Sequence, residues 1–307
     1  DNVGTDENEP EVFYDAVHHA REPLSMTTTL QFMSELLDGY GNDPESTLIV
    51  DERELWFVPC VNPDGYEYNR QIQPNGGGMW RKNRRNNGNG TTGVDLNRNY
   101  ATGWSAPNGG NSTNPSSDTY RGPSPFSEPE SQAVEAFMAQ HNFVQSCTCH
   151  TYTEVLLHPW AYQNGAPANG AEYTRIGARL TEANGMPYGT VSGQLYIAAG
   201  GSVDHHHVVH NTIAWTPELG RSIEGGFWPA PPEQVAIAER HQRMFREMAL
   251  TSGPLPALVS VTVTEAPGGD GDGRIEPGES GLVTANLSND GLAALNGGTL
   301  TLTALDL

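Results

Sequence analysis

The chain has 307 residues, of which 36% are hydrophobic and only 17% charged, enough for one large domain and a small one and for a buried core, so global disorder is excluded. A net charge of −21, from 37 acidic against 16 basic residues, repels nucleic acid and anionic membranes as partners. No apolar run approaches the ~20 residues that cross a bilayer, and the start DNVGTDENEP has no charged-then-apolar signal pattern. A secreted bacterial protein whose export signal has been removed is therefore expected.

Residues 11–19, EVFYDAVHH, read as a buried strand ending at a histidine. Residues 23–40 place Leu24, Leu30, Phe32, Met33, Leu36 and Leu37 at helical spacing. ELWFVPCVNPDGY reads as a second buried strand closed by a turn at Asn62-Pro63-Asp64-Gly65. Residues 70–125 read mostly as loop, and a loop of that length in a compact domain is functional or disordered. Ser127 and Glu130 stand at capping-box spacing before a helix over 127–140. FVQSCTCH is a third strand ending at a histidine, helices are expected at 170–184 and 232–250, and a short strand at about 212–218.

Strands alternating with helices point to an α/β layered domain over residues 1–252. Chemistry in open α/β sheets collects at the carboxyl ends of strands, where His19, His150 and Glu218 all fall. From residue 253 to 307 the pattern changes to period-two alternation of apolar residues with Thr or Ser, the signature of a small β module, sandwich-like and incomplete. Cys147 and Cys149 point the same way from one strand and read as buried, inert thiols; a bridge from Cys60 to one of them stays open.

His19 and Glu22 stand three apart just past a strand end, and His150 completes a set of two imidazoles and one carboxylate, the ligand type of a catalytic zinc with one position open. A lone HxxE is as readily a surface turn. The neighbouring segments decide between them. HHARE, FVPCVNPDGYEY, MWRKNRR, GVDLNRNY, PFSEPES, CHTYTEVLLHPW, LYIAAGGSVD and TPELG occur in that order. With them, residues 11 to about 250 resemble the M14 zinc carboxypeptidases, the family of pancreatic carboxypeptidases A and B.

The resemblance implies a mixed eight-stranded-type sheet with helices on both faces. Only 18 residues precede His19, so the N-terminal edge of that sheet is expected to be missing. It implies one catalytic zinc on His19, Glu22 and His150. Glu218 matches the general base that takes a proton from water at the zinc and hands it to the leaving amine. Arg84 matches the arginine that polarises the scissile carbonyl, Asn97 and Arg98 the pair that grips the substrate's terminal carboxylate, and Tyr196 the mobile tyrosine that closes over the last residue. Arg21 and Tyr152 match further substrate contacts. Five of the 16 basic residues (Arg81, Lys82, Arg84, Arg85 and Arg98) fall between 81 and 98, a focused positive site in an acidic chain. At the matching positions of the specificity pocket stand Val203, Val191 and Thr216, where an unpaired cation would be costly, so apolar or aromatic C-terminal residues are expected.

The expected partners are peptide or protein C-termini, met by a monomer. An amidase or deacylase on the same scaffold, acting for instance on peptidoglycan peptides, and a non-catalytic peptide-binding relative are the competing readings. Two further motifs stand outside this function. Asp204-His205-His206-His207 with His210 offers His206 and His210 at i,i+4 for a second metal, against partly exposed polar residues beside the pocket. Asp270 and Asp272 offer oxygen ligands for calcium, against a solvated turn.

Overall fold

The computed structural model describes residues 8–107, 109–268, 272–275, 278 and 280–296. Its contacts divide into two units, Asp1–Ala249 and Leu250–Leu307.

The first unit is built on strands β1 (Glu11–Ala16), β2 (Glu54–Val58), β3 (Gln145–Cys149), β4 (Val155–His158), β5 (Tyr188–Thr190) and β6 (Ile213–Glu218). They form one mixed sheet in the order β2-β1-β3-β6-β4-β5, parallel throughout except where β4 meets β6. The sheet thus has six strands among the described residues where eight are implied, and it is mixed and flanked by helices as expected. The helices are α1 (Pro23–Gly39), α2 (Pro44–Glu52), α3 (Pro63–Ile72), α4 (Pro129–Met138), α5 (Gly170–Thr181), α6 (Val191–Gln194), α7 (Ser202–His210) and α8 (Pro231–Ser252), the last crossing the division between the units.

Alternation along β1 shows how the layers are covered. Phe13 points to one face and packs on Phe137 of α4, Phe143 and His206 of α7. Tyr14 points to the other and packs on Phe32 of α1, Phe57 and Phe245 of α8, with its hydroxyl donating to the Phe245 carbonyl at 3.1 Å. Both rings are fully buried, each stabilising the fold by about 1.5–3 kcal/mol. Strand β2 is half-buried at every position rather than the buried strand expected, because among the described residues it pairs on one side only.

The Asn62–Gly65 segment is not a closing turn but the start of α3. The Asn62 side chain accepts from the Gly65 N–H and Pro63 occupies the first turn, where its missing N–H costs nothing. Gly65 is required by close approach: a Cβ there would lie 2.6 Å from the Lys82 carbonyl oxygen. Among the described residues of 73–125 there is no helix or strand beyond a single 3-10 turn, Leu96–Arg98. Gly200, at φ +79, lets its loop pass against Arg98, whose carbonyl oxygen a Cβ would meet at 2.5 Å.

All three cysteines are free. Cys147 and Cys149 are buried, and burial pushes both thiols well above their ordinary pKa, as inert thiols require.

In the second unit β7 (Pro256–Glu265) and β8 (Gly281–Asn289) pair antiparallel. The third expected strand, residues 297–307, lies outside the described residues, as does Asp270 of the calcium motif. Asp272 Oδ1 accepts from the Arg274 N–H at 2.8 Å, closing a turn.

Candidate active site

Because β1, β3 and β6 run parallel, their carboxyl ends lie side by side. His19 follows β1 by three residues, His150 follows β3 directly, and Glu218 ends β6, bridged to His150 by backbone pairing. Glu22 is the residue that precedes Pro23 and α1, so the helix start fixes its position.

The Glu22 carboxylate lies between two imidazoles, 2.8 Å from His19 Nδ1 and 2.8 Å from His150 Nδ1. All three residues are buried. Burial alone would raise the Glu22 pKa; the flanking imidazoles outweigh it and hold the carboxyl below its ordinary range. Burial, only partly offset by Glu22, lowers His150 to about 4, so its ring is neutral at pH 7.

His19 Nε2 lies 3.1 Å from Asp95 Oδ1, and Asp95 is fully buried and paired with Arg81 at 2.8 Å. A carboxylate there accepts from the Nε2–H and favours the tautomer with a lone pair on Nδ1, which Arg81 Nη1 faces at 3.2 Å. That lone pair also meets Glu22 Oε1, an acceptor against an acceptor. A cation among these atoms removes the repulsion, and His19, Glu22 and His150 place one ligand atom each within 4.8 Å of one another. Two imidazoles and a carboxylate fit a zinc ion with an open position.

Glu218 lines the same cavity, and burial first, then Glu22, pushes its carboxyl well above the ordinary value, against the pull of Arg81 and Arg98. Its backbone is fixed by the turn after β3, where the Glu154 N–H donates to the Glu218 carbonyl at 2.7 Å. The Glu154 side chain in turn accepts from the Gly220 N–H at 2.9 Å and Arg240 Nη2 at 3.1 Å. Burial would raise the Glu154 pKa, but His241 and Arg240 bring it from 4.5 down to about 2. A depressed carboxyl stabilises the fold fully above its unfolded value and loses that contribution as pH falls. In metal-free protein the thermal midpoint should therefore drop between about pH 4.5 and pH 2, a loss on the order of 3 kcal/mol. Glu154→Gln should start lower at pH 7 and show a shallower fall; parallel wild-type and variant curves would contradict this.

The cavity has a volume of about 180 Å³ and opens to solvent. It brings together His19, Glu22, Glu218, Asn97, Arg98, Arg21, Tyr152, Tyr196, Val191, Val203 and Thr216. Arg84 is not among its lining residues. Its guanidinium lies 3.6 Å from the centroid of Tyr68 and 4.6 Å from that of Trp80, on an aromatic shelf outside the cavity. The arginine of that basic run that lines the cavity is Arg81, three residues earlier and buried. The expectation for Arg84 is thus corrected: the Trp80 ring takes up Arg84, and the backbone pairing of the Ala20 N–H with the Arg81 carbonyl at 3.0 Å holds Arg81 beside the His19 loop.

Three arginines line the cavity. Arg81 pairs with Asp95, and Arg21 stands 3.6 Å from Asp118 and over Phe227. Arg98 is 3% exposed and has no carboxylate within ion-pair distance among the described residues; it donates to the Asn97 and Gly110 carbonyls. Asn97 accepts from the Ser202 N–H at 2.9 Å through Oδ1 and sets Nδ2 3.0 Å from His150 Nε2. Beyond them the lining is Leu157, Ala161, Val191, Leu195, Ala198, Val203 and Thr216, with no acidic side chain. Asp204, next to Val203, turns away to accept from the Ala161 and Tyr162 N–H groups. Tyr196, 55% exposed, stands at the rim, and Tyr152 packs edge-on against Phe227.

Sequence reasoning passed over Asp95 behind His19 and the apolar wall from Leu157 to Ala198. Asp95 was legible in GVDLNRN; the wall is assembled from separate segments and carries no local signal. The histidines of α7 are also more buried than expected, His205 and His206 being 3% and 1% exposed.

A family model described as zinc carboxypeptidase matches residues 2–244. The chain is 33% identical to carboxypeptidase A2 of Rattus norvegicus over 74% of its own length and 55% of that protein's, and 36% identical to carboxypeptidase B of Bos taurus over 72% and 54%. It thus spans about half the length of these curated relatives. Among solved structures it is similar to bovine thrombin-activatable fibrinolysis inhibitor in complex with tick carboxypeptidase inhibitor, with a TM-score of 0.71 and 26% identity over 79% of this chain and 82% of that one. Among the described residues no helix is long and apolar enough to cross a membrane. With the family match covering residues 2–244, this chain belongs to the zinc carboxypeptidase family.

Proposed function

We propose that the chain is a secreted zinc metallocarboxypeptidase that hydrolyses the last peptide bond of substrates ending in an apolar or aromatic residue. The observation that carries this reading is Arg98, a buried arginine on the cavity wall that donates to backbone carbonyls and has no carboxylate within ion-pair distance among the described residues. A buried cation left unpaired is costly, and a substrate's terminal carboxylate would pair it through the bidentate geometry that guanidinium favours.

His19, Glu22 and His150 would hold the zinc, which when bound supplies a Lewis acid and makes water a nucleophile near neutral pH. The chain's own residues do the rest. Glu218 holds a proton site where the attacking water enters and returns that proton to the departing amine. Arg81 directs N–H groups at the carbonyl oxygen that gains charge. Asn97 and Arg98 fix the terminal carboxylate, Val203, Val191 and Thr216 enclose the last side chain, Tyr196 closes the rim, and Arg21 and Tyr152 contact the residues before. The calcium expectation at Asp270 and Asp272 has support from sequence alone.

The test is zinc content followed by release of free amino acids from matched peptides. Peptides ending in Phe or Leu should be cleaved, one ending in Lys at least about tenfold more slowly, and a C-terminal amide about 10²-fold more slowly. Equal rates on acid and amide would remove the carboxylate clamp and with it the exopeptidase reading. A preference for Lys would refute the apolar pocket.

A further inference from the structure

Away from the cavity, three side chains converge in a way the reaction does not use. Glu135 lies on α4, and His205 and His210 lie on α7 and at its end. Glu135 Oε2 stands 2.9 Å from His205 Nε2 and 3.0 Å from His210 Nε2, and all three residues offer ligand atoms within 4.8 Å of one another. We propose that Glu135, His205 and His210 form a second divalent-metal site, of the zinc type, sharing no residue with the first.

Two imidazoles and one carboxylate suit zinc or cobalt rather than calcium or magnesium, which take oxygen ligands. Zinc bonds of about 2.0–2.1 Å put tetrahedral ligand atoms a little over 3 Å apart, close to the spacing already present. His205 is oriented for the role from behind. Its Nδ1 lies 3.1 Å from Thr102 Oγ1, a hydroxyl able to donate or accept, so Nδ1 keeps a partner when a metal ion takes the place of the Nε2 proton that faces Glu135. The ring is wedged by Phe126 and Tyr100, at centroid distances of 5.1 and 5.8 Å, which fixes its plane. His205 is 3% exposed, while the side chains of Glu135 and His210 are 28% and 11% exposed, so the site opens to solvent on their side and has access to a water as fourth ligand. His206, which the i,i+4 spacing suggested, is not part of it: its ring turns inward to Ser146.

A metal here would tie α4 to α7. The first turn of α7 carries Val203 of the cavity wall and Ser202, whose N–H donates to Asn97. The site is thus a clamp beneath the pocket, not a reaction centre.

The full chain would be stripped with a chelator, reloaded with excess zinc, desalted and assayed for metal. Glu135→Gln and His210→Ala should each carry one zinc per chain fewer than wild type, with unchanged circular dichroism. The readout is a difference, so it stands whatever the first site binds. Equal metal content in wild type and variants would overturn the proposal and leave an ordinary hydrogen-bonded triad. Should either variant unfold, cobalt titration of the unaltered chain decides: two equivalents bound with visible absorption support the site, and saturation at one overturns it. Zinc beyond the first equivalent should also raise the wild-type thermal midpoint by several degrees.

Discussion

Glu218→Gln should keep its zinc and lose turnover by roughly 10³–10⁴-fold. The two halves of that expectation have separate causes. Glu218 is outside the ligand set of His19, Glu22 and His150, so an isosteric amide leaves the donors intact. Its backbone is held independently, by the His150 N–H on the Pro217 carbonyl at 2.9 Å and the Leu219 N–H on the His150 carbonyl at 2.9 Å. The amide therefore occupies the same place but has no basic oxygen to take a proton. Replacing a carboxylate whose pKa is pushed up by burial and by Glu22 also relieves repulsion, so the thermal midpoint should hold or rise. Metal analysis, steady-state kinetics and a melting curve on one preparation separate these effects. Turnover within tenfold of wild type would remove Glu218 as the base; loss of zinc would place it among the ligands instead.

Much of this site is legible in the sequence. Apolar runs ending in His19, His150 and Glu218 mark strand ends, and parallel order in an α/β sheet gathers such ends on one edge. What was not legible depends on tertiary contact. The apolar wall draws Leu157, Ala161, Leu195 and Ala198 from around β4 and α6, which meet only once the sheet is assembled. Helix α7 went unseen because Asp204 through His207 look like a polar tract, yet His205 and His206 are buried by partners 60 and 70 residues away, Ser146 and Glu135. The helix at α3 was hidden by Asn62-Pro63-Asp64-Gly65, whose residues suit a turn and a helix start equally. In the basic run the difficulty is sharper: Arg81 and Arg84 are one helical turn's worth of sequence apart in a segment with no helix, so spacing alone cannot say which faces inward.

Substituting both arginines in parallel resolves that point. Arg81→Ala should lower kcat/KM by roughly 10²–10³-fold, chiefly through kcat, because the guanidinium lines the cavity beside His19 and its charge is worth most as the carbonyl oxygen becomes negative. Arg81→Lys should recover only part of the loss, since Nε and Nη2 both bond Asp95 Oδ2 and an ammonium cannot serve Asp95 and substrate together. Arg84→Ala should leave kcat/KM within about threefold and cost about 0.5–1 kcal/mol of stability, the scale of an exposed cation–π contact. Removing Arg81 also takes from the buried Asp95 its arginine partner, leaving His19 and the Asn97 N–H, so zinc content must be measured beside the kinetics to show that the ligand set survives. If Arg84→Ala proves the inactive variant and Arg81→Ala the active one, the cavity would have to be remade around the Trp80 shelf, and the carbonyl-polarising role would return to Arg84.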